Sequence, residues 1–365
     1  MLRNALCLGM TIYFSHLRAF TKLSLVCIVL ALPSIAAEKP FKVIILAGQS
    51  NMEGKAQNKL LEYQATDEKT KGHFAHLRKD NEWIVRDDVF INYLGRRGGL
   101  TIGYGSKDRT GMELEFGTVM GNHFDEPVLL IKAAWGGHSL FQKFRPPSAG
   151  LPDEAFFKAE LEKKIAGVKR NNEKRKQNRP MPTMAQIKAE YGVSYRAMMK
   201  EVSETLANSD TLFPALKGMK PELAGFVWFQ GWNDQYNGAE NHYAENMKLF
   251  INDVRKDLKV PKLPFVIAVM GQNGSKPAVK AMKVIQDAQL SMEKLPEFKG
   301  NVKAIRTDVL IDKAAEELYP KWKENVEEWE KTGSDRGYHY LGSAIWFNRI
   351  GKKCAEAMLE ISGKK

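Results

Sequence analysis

Cysteine is scarce in this 365-residue sequence, with three in all. Two of them, Cys7 and Cys27, fall in an N-terminal stretch with the character of an export signal. Once that stretch is gone, Cys354 stands alone and no disulfide can form within the chain. Cys354 sits in an apolar-periodic segment and reads as an ordinary buried thiol. The histidines and carboxylates show no metal-ligand spacing, so no metal is implied. A Gly-x-x-x-x-Gly-Lys loop is also missing, which removes the usual phosphate cradle. No cofactor is therefore expected. The one long apolar run, Leu23 to Leu32, is too short to span a bilayer comfortably. Internal repeats are lacking.

What is present begins with that run. Arg18 and Lys22 precede it, and Pro33-Ser34-Ile35-Ala36-Ala37 follows it. Basic residues, a short apolar stretch and terminal small residues predict a signal peptide over 1–37, cleaved near Ala36 or Ala37. Met10 is an alternative start, and an uncleaved anchor is the competing reading. The mature domain is then 38–365, secreted or periplasmic, without stable membrane association. Loss of Arg3, Arg18 and Lys22 lowers the formal charge from +12 to +9. Hydrophobic residues at 44% and aromatics at 10% supply a packed core and argue against disorder.

Apolar runs that do not alternate occur at 42–47, 89–93, 128–133, 223–229, 265–270 and 302–305. Such runs suit strands buried on both faces. Helical patterns lie between and after them, at 113–124, 194–207, 239–258, 278–290, 314–329 and 341–359. The alternation predicts an α/β protein, a three-layer α/β/α sandwich around a mainly parallel sheet of five or six strands. Ligands in such sheets bind beyond the carboxyl ends of the strands. Residues 141–193 break the rhythm with Arg145-Pro146-Pro147 and a basic stretch from Lys163 to Arg179. This segment reads as an insertion carrying a helix and a solvated loop. It accounts for much of the net charge, so nucleic acid is not the expected partner; contact with an acidic polysaccharide is the sharper alternative.

Three residues after the first strand comes Ser50, in the turn Gly48-Gln49-Ser50-Asn51. A serine there can offer both its hydroxyl and its own amide to a substrate. Met52 stands where a Gly-x-Ser-x-Gly elbow would have its second glycine, and by itself such a turn is more often only a turn. A partner base near neutral pH points to histidine. His339 lies in the turn-rich stretch 334–342 before the last helix, with an acid close by. His138 follows Trp135-Gly136-Gly137 at another strand end and is the rival.

Four segments occur in order: 48–52 (GQSNM), 111–117 (GMELEFG), 228–234 (WFQGWND) and 335–342 (DRGYHYLG). Together they resemble the sialate O-acetylesterase and carbohydrate esterase family 6 group of the SGNH hydrolase superfamily, whose fold is flavodoxin-like. The resemblance runs from about residue 41 to 359, apart from the basic insertion. It implies a nucleophile at Ser50, a general base at His339, and an oxyanion hole from the amides of Ser50 and Gly111 and the side chain of Gln230. Asn51, Trp232 and Asn233 are implied to touch substrate.

This sequence departs from the family pattern twice. The family's aspartate stands three residues before the histidine, where this chain has Arg336; Asp335 is one residue farther away. Either the loop bulges to bring Asp335 to His339, or Asp308 or Asp312 takes its place, or the site is a dyad. Trp232 replaces the glutamate of the family's Gln-Gly-Glu pattern. The resemblance implies a secreted serine esterase of acetylated carbohydrate, with acetylxylan and O-acetylated sialic acid both in view. A lipase or thioesterase of the same fold, and a non-catalytic carbohydrate-binding protein, are the alternatives. Oligomeric state is not legible.

Overall fold

The computed structural model describes residues 40–363, so the expected leader over 1–37 and the domain boundary at 38 lie outside the described residues. The central sheet has seven strands: β1 (Pro40–Gly48), β2 (Val89–Tyr93), β3 (Arg96–Gly99), β4 (Val128–Ala134), β5 (Lys220–Phe229), β6 (Phe265–Val269) and β7 (Val302–Arg306). Their order is β7-β6-β5-β1-β4-β2-β3. Six run parallel, and β3 adds to β2 antiparallel at the edge. The expectation of five or six strands holds for the parallel part. Strand β3 has the sequence Arg-Arg-Gly-Gly, without apolar alternation; it forms because Leu94 and Gly95, both at positive φ, turn the chain back on β2.

Strand β1 shows why its run is unbroken. Val43, Ile45 and Ala47 enter one core with Phe226, Trp228 and Ile267. Ile44 and Leu46 enter the other with Val227, Phe229 and Val266. Both faces are covered, so no polar side chain along its centre could reach water. Helices α1 (Ser50–Glu53), α2 (Glu113–His123) and α3 (Glu154–Arg175) come first, followed by α4 (Val193–Ala207), α5 (Tyr243–Asp257), α6 (Lys280–Ser291) and α7 (Ala344–Ile361). The first face packs on α4, α5 and α6 through Met198, Phe250 and Ile285. The second packs on α2 and α7 through Phe116, Trp346 and Met358. The result is a three-layer sandwich.

Two predicted helices changed at proline or at positive φ. The pattern at 314–329 splits into Lys313–Leu318 and Val326–Thr332, because Pro320 removes a backbone donor between them. The last helix begins only at Ala344, since Tyr340, Leu341 and Gly342 all take positive φ. The basic segment contains α3, a 22-residue helix capped by Asp153 and burying only Phe157. Phe157 joins Ile187 and Tyr191 in a small satellite core. Among the described residues no helix is long and apolar enough to cross a membrane.

Candidate active site

The turn that carries Ser50 is shaped by contact with β5. Gln49 donates its amide to the Phe229 carbonyl at 3.2 Å, and a Cβ on Gly48 would lie 2.1 Å from that same oxygen. Only glycine fits there, and the chain then enters α1 directly at Ser50. Ser50 itself is 6% exposed. Within α1, Glu53 holds the amide of Gly136 at 2.7 Å and the Ser106 hydroxyl at 3.0 Å. A Cβ on Gly136 would lie 3.7 Å from Ser50 Cβ, so the loop after β4 lies against the serine.

Opposite stands the loop 334–342. His339 Nδ1 lies 3.1 Å from Asp335 Oδ1, although the ring is not aligned for a straight hydrogen bond. The left-handed residues Tyr340 and Leu341 let Asp335 and Ser334 donate their amides to the Leu341 carbonyl at 3.0 and 2.9 Å. This curl brings together residues four apart, the bulge that the altered spacing requires. Asp335 also accepts from the Arg336 amide at 2.7 Å and pairs with Arg109. Burial by itself would raise its pKa. The contacts with His339, the Arg336 amide and Arg109 outweigh that and hold it down to about 2.

The alternative acids are engaged elsewhere. Asp308 pairs with Arg306. Asp312 caps Lys313–Leu318 and accepts from the Ser343 hydroxyl at 2.7 Å. His138, the rival base, meets the Ser194 hydroxyl at 2.7 Å and stacks on Trp135. Burial and the charge of Lys143 lower its pKa, which favours the neutral ring.

The expected oxyanion donors have internal acceptors. The Gly111 amide donates to Glu113 at 2.8 Å. Gln230 Nε2 donates to Asp234 at 2.6 Å, to the His138 carbonyl at 3.1 Å and to Gln49 at 3.2 Å. Each group is used in the resting site to hold the scaffold. Asn233 differs: Gln49 Nε2 donates to its Oδ1 at 3.1 Å, while Gln49 Oε1 accepts its backbone amide at 3.3 Å. That reciprocal pair fixes the carboxamide and leaves the Nδ2 donor outside the pairing with Gln49. Asn51 Nδ2 donates to the Tyr338 carbonyl at 3.1 Å, and Trp232 packs 5.9 Å from the Tyr338 ring.

Several supporting residues carried no assigned role in the sequence. Asp234 is fully buried and accepts the amides of Leu140 and Phe141, both at 2.8 Å. Lys132 and Glu113 are both wholly buried and pair at 2.9 Å. Lys132 also donates to the Glu53 and Tyr104 carbonyls at 2.8 and 2.7 Å. A lysine in the middle of an apolar strand was the available signal, because such a charge is retained only with a partner.

The family of carbohydrate esterases described as sialic acid-specific acetylesterases matches residues 40–175 and 182–316. This range takes in Ser50, Gly111, Gln230 and most of the basic segment, and it ends before Asp335 and His339. Three solved structures are similar in part. One is a protein from Arabidopsis thaliana, 17% identical, covering 74% of this chain and 87% of its own, with a TM-score of 0.43. Another is a carbohydrate acetylesterase from Xanthomonas citri, 13% identical, covering 88% of this chain and 57% of its own, with a TM-score of 0.45. The third, NanS, is 11% identical, covers 75% and 79%, and has a TM-score of 0.41. No curated protein matches the sequence significantly. With well over half its length matched, the chain is a carboxylic ester hydrolase and belongs to the carbohydrate esterase, sialic acid-specific acetylesterase family.

Proposed function

We propose that the chain removes O-acetyl groups from carbohydrate by a Ser50–His339–Asp335 acyl-enzyme mechanism. The observation that carries this reading is the 3.1 Å approach of Asp335 Oδ1 to His339 Nδ1. With Nδ1 facing the carboxylate, Nε2 is left for the serine proton, and Asp335 favours the imidazolium that forms.

Ser50 Oγ gives its proton to His339 Nε2 and bonds to the acetyl carbonyl carbon. Collapse of the tetrahedral anion breaks the bond from that carbon to the sugar oxygen, which takes the proton from His339. Water then gives a proton to His339 and attacks the acetyl-serine; collapse breaks the bond from the carbonyl carbon to Ser50 Oγ, which takes the proton back from His339 as acetate leaves. For the oxyanion we assign the Ser50 amide and Asn233 Nδ2, since the Gly111 and Gln230 donors are already bonded internally. Each such donor typically contributes a few kcal/mol at the transition state.

The test is release of acetate from an acetylated saccharide and from a small chromogenic acetyl ester, beside Ser50→Ala. Turnover that disappears in Ser50→Ala supports the proposal. Folded wild-type protein with no turnover above buffer sinks it.

A further inference from the structure

Asp335 and His339 share one loop, and that loop does little by itself to aim the carboxylate. It curls through Tyr340 and Leu341 at positive φ, a conformation that non-glycine residues adopt at a cost. The Arg336 amide donates to Asp335 Oδ1 at 2.7 Å, the same oxygen that faces His339 Nδ1. The Arg336 guanidinium is engaged elsewhere, 4.5 Å over the Trp322 ring. The second oxygen, Oδ2, is taken by Arg109, which comes from 226 positions away in sequence.

Arg109 is set in place by a short ladder. Arg109–Thr110 pairs antiparallel with Ala56–Gln57, which follows closely on α1. Arg109 Nη1 also donates to the Lys55 carbonyl at 2.8 Å. In the same ladder the Gln57 amide donates to the Ser334 hydroxyl at 3.1 Å, and that hydroxyl donates to the Gly342 carbonyl at 2.8 Å. The ladder therefore grips both ends of the loop that holds Asp335 and His339, and the chain leaving the Ser50 helix as well. The side chains of Arg109 and Asp335 are only 23% and 15% exposed. A pair shielded to that degree can hold a geometry that an open surface pair would not.

We propose that Arg109 is a positioning residue for the acid. By holding Oδ2 it turns Oδ1 toward His339 and keeps Asp335 in register with the helix that carries Ser50. The proposal rests on the triad reading above and concerns a residue that acts through Asp335 alone.

The test is Arg109→Ala, with Arg109→Gln as the second variant in case the first does not fold. Either should lower kcat on a small acetyl ester about ten- to hundredfold, with KM changed less than about threefold. In the Asp335→Asn background the same change should alter kcat less than about twofold, because the group it acts through is gone. About 50 mM guanidinium chloride, too dilute to unfold the chain, should return part of the lost kcat in Arg109→Ala. Equal KCl should not. Unchanged or raised kcat in the single variants overturns the proposal, as does an equal fold-loss in both backgrounds or a rescue no larger than that with KCl. A crystal structure of the variant separates the two proposals. Asp335 swung out of reach of His339, with no turnover by the wild type, keeps the positioning role and overturns the esterase reading. Turnover that disappears in Ser50→Ala, with Asp335 unmoved and kcat unchanged in the Arg109 variants, does the reverse.

Discussion

Asn51 donates its side-chain amide to the backbone carbonyl of Tyr338 at 3.1 Å, so the residue after the proposed nucleophile holds the residue before the proposed base. The two segments lie 287 positions apart in sequence. This bond is a direct tie between the Ser50 turn and the His339 loop. Asn51→Ala should therefore lower kcat about tenfold or more, because a small misplacement of two reacting groups is costly. Stability should fall by only about 1 kcal/mol. Steady-state kinetics and a urea midpoint on the same preparation check both; a stability loss with unchanged kcat would refute the tie.

The acid can be identified by substitution. Asp335→Asn should reduce kcat/KM by about 10² to 10⁴, in line with the loss of a triad carboxylate. Asp308→Asn should leave kcat/KM within about threefold, because that carboxylate faces Arg306. Asp312→Ala should cost about 1 kcal/mol of stability through its lost cap. If Asp308→Asn is the damaging change, the assignment of Asp335 is overturned.

One half-buried and one buried carboxylate give opposite pH dependences. For Asp335, burial raises the pKa but its contacts with His339, the Arg336 amide and Arg109 lower it further, from 3.8 to about 2. Its stabilisation is therefore complete above about pH 4 and is lost as pH falls toward 2. Asp234 is raised to about 6, because burial outweighs the hydrogen bonds from Gln230, Leu140 and Phe141. Its folded state gains a proton first, so that group's contribution grows as pH falls from about 6 toward 4. Between pH 7 and pH 5 the urea midpoint of wild type should rise relative to that of Asp234→Asn. A constant difference would contradict the sign.

Removing a donor separates chemistry from scaffold. Asn233→Ala should lower kcat by about 10² to 10³, as expected for an oxyanion donor, and should cost about 1–3 kcal/mol of stability through the buried Gln49 donor it leaves unpaired. Gln230→Ala should act chiefly on folding, because its side chain bridges Asp234, Gln49 and the His138 carbonyl. Equal kcat effects with equal stability losses would remove the distinction.

The parallel strands were legible because burial on both faces leaves an unbroken apolar run, as in β1. Edge strand β3 was not, since its pairing comes from the Leu94-Gly95 turn and not from side-chain pattern. The turns that carry Ser50 and His339 were readable in the sequence. The approach of Asp335 to His339 was open, because it depends on positive φ at Tyr340 and Leu341, which neither residue type favours. The internal bonds of Gly111 and Gln230 depend on Glu113 and Asp234, whose side-chain directions only the packed structure reveals.

Lys132 and Glu113 give the last prediction. Both are wholly buried and 2.9 Å apart. Lys132 holds the Glu53 carbonyl at the end of α1, and Glu113 holds the Gly111 amide. Removal of one partner leaves a buried charge with no counterion, which typically costs about 3–5 kcal/mol. Lys132→Met and Glu113→Leu should each be strongly destabilised. The double variant should recover most of the stability, since an apolar pair of similar volume is often tolerated. Its kcat should stay low, because the anchors of the Ser50 helix and of Gly111 are gone. Chemical denaturation and esterase kinetics on all four proteins complete the cycle. A double variant that recovers stability together with full kcat would show that the pair only packs the core.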